Sequence, residues 1–205
     1  MHAPVNTVTL ALSGASGMAY GMRLLECLLA ADLRVYLLVS QAAHIVAKQE
    51  LGIALPARAG DLEKELSAGL NAREGQLCVF GRDDWNAPVA SGSNPADAMV
   101  VCPCSMGTLA AIAHGLSDNL IERAADVMLK EHRKLILVPR EAPFSTLHLE
   151  NMLALSRINA VILPANPGFY HHPQTIEDIV DFIVARILDQ LGVRHELMAR
   201  WGDDR

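Results

Sequence analysis

Val5-Asn6-Thr7-Val8-Thr9-Leu10-Ala11-Leu12-Ser13-Gly14-Ala15-Ser16-Gly17 is the stretch that decides the fold class. Its first part, Val5–Leu12, is apolar and β-branched, the composition that suits a pleated, buried strand. Ser13–Gly17 breaks that run. Met18–Ala31 then repeats apolar residues at helical spacing, with Leu24, Leu25, Leu28 and Leu29 on one face. Strand, glycine-serine turn and helix together make the opening of a βαβ unit.

Working outward, the same alternation recurs. Arg34–Val39, Ala98–Cys102, Lys134–Val138 and Ala160–Leu163 read as further strands. Gln41–Gln49, Ser105–His114, Leu120–Glu131, Thr146–Arg157 and Thr175–Leu191 read as helices. Short apolar strands separated by helices pair in parallel, with both sheet faces covered. The expected fold is therefore α/β, a doubly wound parallel sheet of the Rossmann or flavodoxin kind, in a single domain spanning 1–205. Pro56–Gly81 and Pro88–Pro95 fall outside the rhythm, and residues 192–205 are expected to form a tail that closes over the site.

The 205 residues are 51% apolar and 20% charged, which excludes a disordered chain and suggests apolar surface that meets other subunits. The net charge of −6 argues against nucleic-acid binding, which needs a basic face. No apolar run is long enough for a membrane span, and the opening residues lack a basic leader, so a cytoplasmic protein is expected. Of Cys27, Cys78, Cys102 and Cys104, the Cys102-Pro103-Cys104 pair has the wrong spacing for a redox or zinc motif. Buried free thiols in a reducing compartment are the expectation.

In doubly wound sheets ligands bind beyond the carboxyl ends of the strands. Three loops there are rich in chemistry. Ser13–Gly17 reads either as a ligand-contacting turn at a helix N-terminus or as an ordinary tight cap. Cys102–Thr108 again places hydroxyls and a glycine at a helix start, a ligand loop or an N-cap. Val138–Phe144 carries Arg140-Glu141 between two prolines, which reads as a positioned functional pair or as a solvated ion pair. Arg123 and Lys130 share one face of the Asn119–Lys130 helix, exposed charges or partners for an anion. Gly168–His172 contains adjacent histidines, which cannot readily reach one ion from a regular element. No carboxylate or cysteine cluster joins them, so no metal is expected.

GASG after the first strand, PCSMGT, NLIERAADVMLKE, LVPREAPFS with HLENM, and PxNPGFYHxP together resemble the UbiX-type flavin prenyltransferases, of the homo-oligomeric flavin-containing Cys decarboxylase fold group. The resemblance runs from about Thr7 to Trp201. It implies transfer of a dimethylallyl group from dimethylallyl monophosphate to N5 and C6 of reduced FMN, making prenyl-FMN for a UbiD-type decarboxylase, with ubiquinone biosynthesis as the pathway. By matching position, Gly14, Ala15, Ser16, Ser40, Ser105, Met106, Gly107, Thr108 and Arg140 are the implied FMN contacts. Tyr170 and Arg186 resemble residues that hold the prenyl phosphate, with Lys130 and Arg123 beside them. Glu50 and Glu141 match acidic residues near that phosphate. Trp201 and Trp85, the latter in a loop that also carries Ser91 and Gly92, are the implied aromatic wall for the prenyl group. Ser16, Glu50, Glu141 and Lys130 are the implied catalytic set. A homododecamer is implied too, with Arg123 or Trp85 reaching a neighbour's site. Two other readings stay open: an FMN-dependent cysteine-type decarboxylase, which would carry PxMNxxMW where this chain has Pro139–Phe144, and a non-catalytic flavin-binding protein.

Overall fold

Residues 5–198 are described in a computed structural model, and each strand there runs parallel to its neighbours. In chain order the elements are β1 (Thr7–Leu12), α1 (Met18–Ala30), β2 (Arg34–Val39), α2 (Gln41–Leu51), α3 (Ala59–Gly69), β3 (Leu77–Phe80), β4 (Ala98–Cys104), α4 (Met106–Ala113), α5 (Leu120–Lys130), β5 (Lys134–Pro139), α6 (Thr146–Arg157), β6 (Val161–Ile162) and α7 (Ile176–Leu191). The strand order is β3-β2-β1-β4-β5-β6. The chain thus winds outward in one direction from β1 and in the other from β4, so the switch point lies between them.

The period of two along each strand sorts side chains to two cores. Val8, Leu10 and Leu12 of β1, with Ala98, Val100 and Cys102 of β4, meet Leu24 and Leu28 of α1 and Ile183 and Ile187 of α7. Ala11, Met99 and Val101 point the other way, against Leu109 and Ile112 of α4 and Leu120 and Met128 of α5, and Cys104 joins them because the β4 register shifts between Val101 and Cys104. Most of these side chains are fully buried, worth about 1.5–3 kcal/mol each for Leu- or Val-sized groups. Helix α1 lies close on the sheet because Gly21 has no Cβ; one there would overlap the Cys102 carbonyl and Leu12.

Pro56–Gly81 departs from expectation: it holds α3 and β3. The signal is faint because α3 buries only Leu62 and Leu66, and β3 is a four-residue edge strand. The two are joined across sequence, since Glu63 Oε2 accepts the Val79 N–H at 2.8 Å. Pro88–Pro95 contains a single 3₁₀ turn, Pro88–Ala90. The other expected elements recur within one or two residues at their ends, with β4 extending through Cys104. No helix of the described residues is long and apolar enough to cross a membrane.

Candidate active site

The first and second ligand-facing loops are joined at the switch point by one buried side chain. Ser13 Oγ donates to the Pro103 carbonyl at 2.8 Å and accepts the Ser105 N–H at 2.7 Å. This fixes the starts of α1 and α4 side by side at the carboxyl edge of the sheet.

Those two starts differ in what occupies them. Gly17, at φ 110°, is the N-cap of α1 and brings no side-chain cap. The carboxylate of Glu50, from the end of α2, fills the place instead. It accepts the Gly17 N–H at 2.9 Å and the Met18 N–H at 2.8 Å. Burial opposes its charge, but the Ser16 hydroxyl, the Met18 and Gly17 N–H groups and the Arg140 charge outweigh burial and hold the carboxyl below its ordinary value. Arg140 Nε also donates to the Ser16 carbonyl at 3.3 Å. Ser16, Glu50 and Arg140 thus form one cluster between β1 and β5.

This corrects one expectation. An anionic ligand does not find the α1 N-terminus free, because a carboxylate already sits on its first N–H groups. Glu50 lies with Ser16 and Arg140. Gly14 has a packing role: a Cβ there would overlap Ala42 Cβ of α2. Ala15 is buried, and Ser16 is the exposed member of the turn.

The open anion site lies one strand over. A cavity of about 190 Å³ is lined by Leu38, Ser40, Gln41, Arg82, Thr108 and Asn119, among others. Three helix starts meet there. Ser40 Oγ caps α2 by accepting the Ala43 N–H at 3.1 Å, Ser105 Oγ caps α4 through the Thr108 N–H at 3.2 Å, and Asn119 Oδ1 caps α5 through the Glu122 N–H at 3.1 Å. Each cap satisfies one of several orphan N–H groups, leaving the rest of the turn to an anion. Gly107 is exposed, and a Cβ on it would meet nothing within 4 Å. Met106 is buried beneath it. Helix-start N–H groups and hydroxyls of this kind suit an anionic phosphate.

Arg140 and Glu141 do not act as a pair with each other. Arg140 turns to Ser16, whereas Glu141 Oε1 accepts the N–H of its neighbour Ala142 at 3.1 Å. Tyr170 lies against α7 and Arg186 on it. The Tyr170 ring lies edge-on to Phe182 at 5.7 Å, and Arg186 is one turn further along the helix, its guanidinium 2.7 Å from Asp189. His171 stacks flat on the same Phe182 at 5.2 Å.

Lys130 and Arg123 do not join them within one chain. Helix α5 starts at the cavity and runs back along the sheet for eleven residues, about 16 Å. Lys130, at its far end, contacts Glu131 at 2.5 Å. Arg123 binds the Ala90 carbonyl at 2.9 Å and Asp126 at 2.7 Å. Ser91 pairs with Ser93, and a Cβ on Gly92 would overlap Lys130 and Glu131. Trp85 is half-exposed in the same loop region. The expected convergence of Lys130 with Arg186 and Tyr170 is thus absent from the single chain, because α5 carries Lys130 to the opposite edge of the sheet. Trp201 lies outside the described residues.

Burial pushes the Cys104 thiol up to about 12 and raises Cys102 as well, so neither is a nucleophile near neutral pH. Among the described residues no group of three or more His, Cys, Asp or Glu is placed to hold a metal. Sequence reasoning missed Gln41, Arg82, Asn119 and Gly21. The Asn-x-x-Glu spacing of Asn119 and Glu122 is a capping signal. Arg82 follows β3, and its position was invisible while that strand went unread.

A family model described as Flavoprotein matches residues 2–188. The flavin prenyltransferase UbiX of Pseudomonas aeruginosa is 57% identical over 196 residues, covering 96% of this chain and 94% of that protein. Two crystal structures superpose closely. AnUbiX, in complex with FMN and dimethylallyl pyrophosphate, is 40% identical with a TM-score of 0.86 over 97% of this chain and 98% of its own. A dodecameric FMN-dependent UbiX-like decarboxylase from Escherichia coli is 42% identical with a TM-score of 0.84, over 95% and 98%. On fold, loops and identity, this chain belongs to the UbiX flavin prenyltransferases of the flavoprotein family.

Proposed function

We propose that this protein joins a dimethylallyl group, from dimethylallyl monophosphate, to N5 and C6 of reduced FMN. The observation that carries the reading is the division of the carboxyl edge into two unlike halves. An open anion cavity at α2, α4 and α5 suits the flavin phosphate, and a Ser16–Glu50–Arg140 cluster lies where the reacting ring would be. Reduced flavin supplies the nucleophilic ring atoms. The side chains have the remaining tasks. Tyr170 and Arg186 hold the donor phosphate and stabilise its charge as it leaves. Ser16, hydrogen-bonded to an ionised Glu50, passes a proton at its hydroxyl beside N5. Glu141, or the departing phosphate, takes the proton lost on ring closure at C6. The absence of a DDxxD motif favours a monophosphate donor, which needs less positive charge than a diphosphate.

Lys130, Arg123 and Trp85 serve the site of a neighbouring subunit in a homododecamer. Two observations support this: the place of Lys130 at the far end of α5, and the exposed apolar residues Leu147, Leu149 and Leu153 on α6, which suit burial against another copy. The product would serve a UbiD-type decarboxylase, in ubiquinone biosynthesis by family analogy. Four free cysteines suit a reducing compartment such as the cytoplasm.

The test is anaerobic incubation of protein, reduced FMN and dimethylallyl monophosphate, with mass spectrometry of the released flavin. A flavin heavier by one isoprenyl unit is expected. Unmodified flavin from protein that binds FMN would overturn the reading for that donor.

A further inference from the structure

The anion cavity contains one feature that neither the family motifs nor the roles above use. Of the side chains lining it, Arg82 is the only one with a formal charge. Its backbone is fixed at the mouth, since the Arg82 carbonyl accepts the Leu120 N–H at 2.8 Å from the first residue of α5. Its guanidinium is largely solvated, and its nearest carboxylate, Asp83, is 3.9 Å away and itself exposed. That loose pair costs little to break. Arg123, by contrast, is committed to Ala90 and Asp126, and Arg140 to Ser16 and the Glu50 carboxylate. The chain is acidic overall, with a net charge of −6. A phosphate dianion held by helix starts alone would meet only partial positive charges there.

We propose that Arg82 is the cationic ligand by which this chain selects a phosphorylated flavin over an unphosphorylated one. The proposal rests on the reading that places the flavin phosphate in the α2–α4–α5 cavity. The guanidinium adds a full charge and a planar fork of donors to the three helix starts, a geometry matched to phosphate oxygens. Arg82 also lines the adjoining cavity of about 480 Å³ between α2 and α3, and so stands between the phosphate site and open solvent. It can therefore close over a bound phosphate without displacing any core residue.

The experiment compares FMN with riboflavin, each titrated by fluorescence quenching into apo-protein, for wild type, Arg82→Gln and Thr108→Val. The two flavins differ only by the phosphate, so the ratio of their dissociation constants reports on that group. Arg82→Gln should cut the preference for FMN about tenfold, as expected for loss of a charge-assisted contact, while riboflavin affinity stays unchanged. The loss should shrink at high salt. Arg82→Lys should recover part of it. If Thr108→Val lowers the preference but Arg82→Gln does not, the phosphate lies in this cavity and the role of Arg82 is wrong. If neither changes it, the placement of the phosphate falls as well. An equal loss for both flavins in Arg82→Gln, with an unchanged melting temperature, would overturn selectivity and leave Arg82 as a support for the loop.

Discussion

Helices α1 and α4 leave adjacent strands of one sheet through loops that look alike, Ser13–Gly17 and Cys104–Thr108, yet their N-termini are in opposite states. At α4 a serine of the loop caps one N–H, and the rest of the turn opens onto a cavity. At α1 the loop contributes no side-chain cap, and Glu50, 33 residues away from Gly17, fills the gap. A glycine-serine turn at a strand end is therefore no sufficient sign of an anion site. What decides is whether a distant carboxylate already sits there. In this molecule the filled end has become an ionised acid held beside Ser16, and the open end keeps uncapped N–H groups facing a cavity.

The sharpest break of that comparison is Glu50→Gln. If the filled end is chemical, the rate of prenylated-flavin formation should fall about 100-fold or more, the scale of a lost acid–base group. FMN affinity should change little, since the phosphate lies at the other helix. A variant that turns over normally would reduce Glu50 to a helix cap. Next in size is Gly21→Ala. The added methyl faces the Cys102 backbone, which cannot yield as a flexible side chain would. We expect about 2–3 kcal/mol of lost stability in chemical denaturation, more than the gain in helix propensity restores. Gly107→Ala tests the open end. Its methyl meets no protein atom, so stability should hold within about 0.5 kcal/mol. FMN binding should nevertheless weaken about tenfold, from crowding of the phosphate's approach. Unchanged FMN binding would move the ligand away from α4.

Much of this architecture was legible in sequence because hydrophobic periodicity is strong wherever a strand is buried on both faces. Arg34–Val39 and Thr146–Arg157 appear with the very ends expected. Leu77–Phe80 escaped because an edge strand of four residues offers only Leu77 and Val79 as buried signal. At the site, the readable local feature was the serine cap of the Cys102–Thr108 loop, Ser105. What local pattern could not show were contacts across sequence. Glu50 on Gly17, Ala42 against Gly14 and the run of α5 that carries Lys130 away from Tyr170 all depend on how elements stack. Nor could it show that Arg140 would leave its neighbour Glu141, since chain adjacency says nothing about which way two side chains leave a turn.

The finest test of the two helix ends is their response to acid. In the folded protein the Glu50 carboxyl titrates below its ordinary value, although burial alone would raise it, because Ser16, two backbone N–H groups and Arg140 favour the charged form. A depressed folded value means that the folded state binds the proton less readily than the unfolded chain. The stabilisation is therefore fully present above the ordinary carboxyl range and fades as pH falls through the folded value. Wild type and Glu50→Gln should then differ in denaturation midpoint at pH 7, and the gap should close as pH falls below the ordinary carboxyl range and through the folded value. Ser105→Ala at the open end should shift stability by about 1 kcal/mol at both pH values, because a serine cap does not titrate. A constant gap between wild type and Glu50→Gln across that range would mean that the carboxylate holds α1 by shape alone, and that the charge at the filled end contributes nothing to the fold.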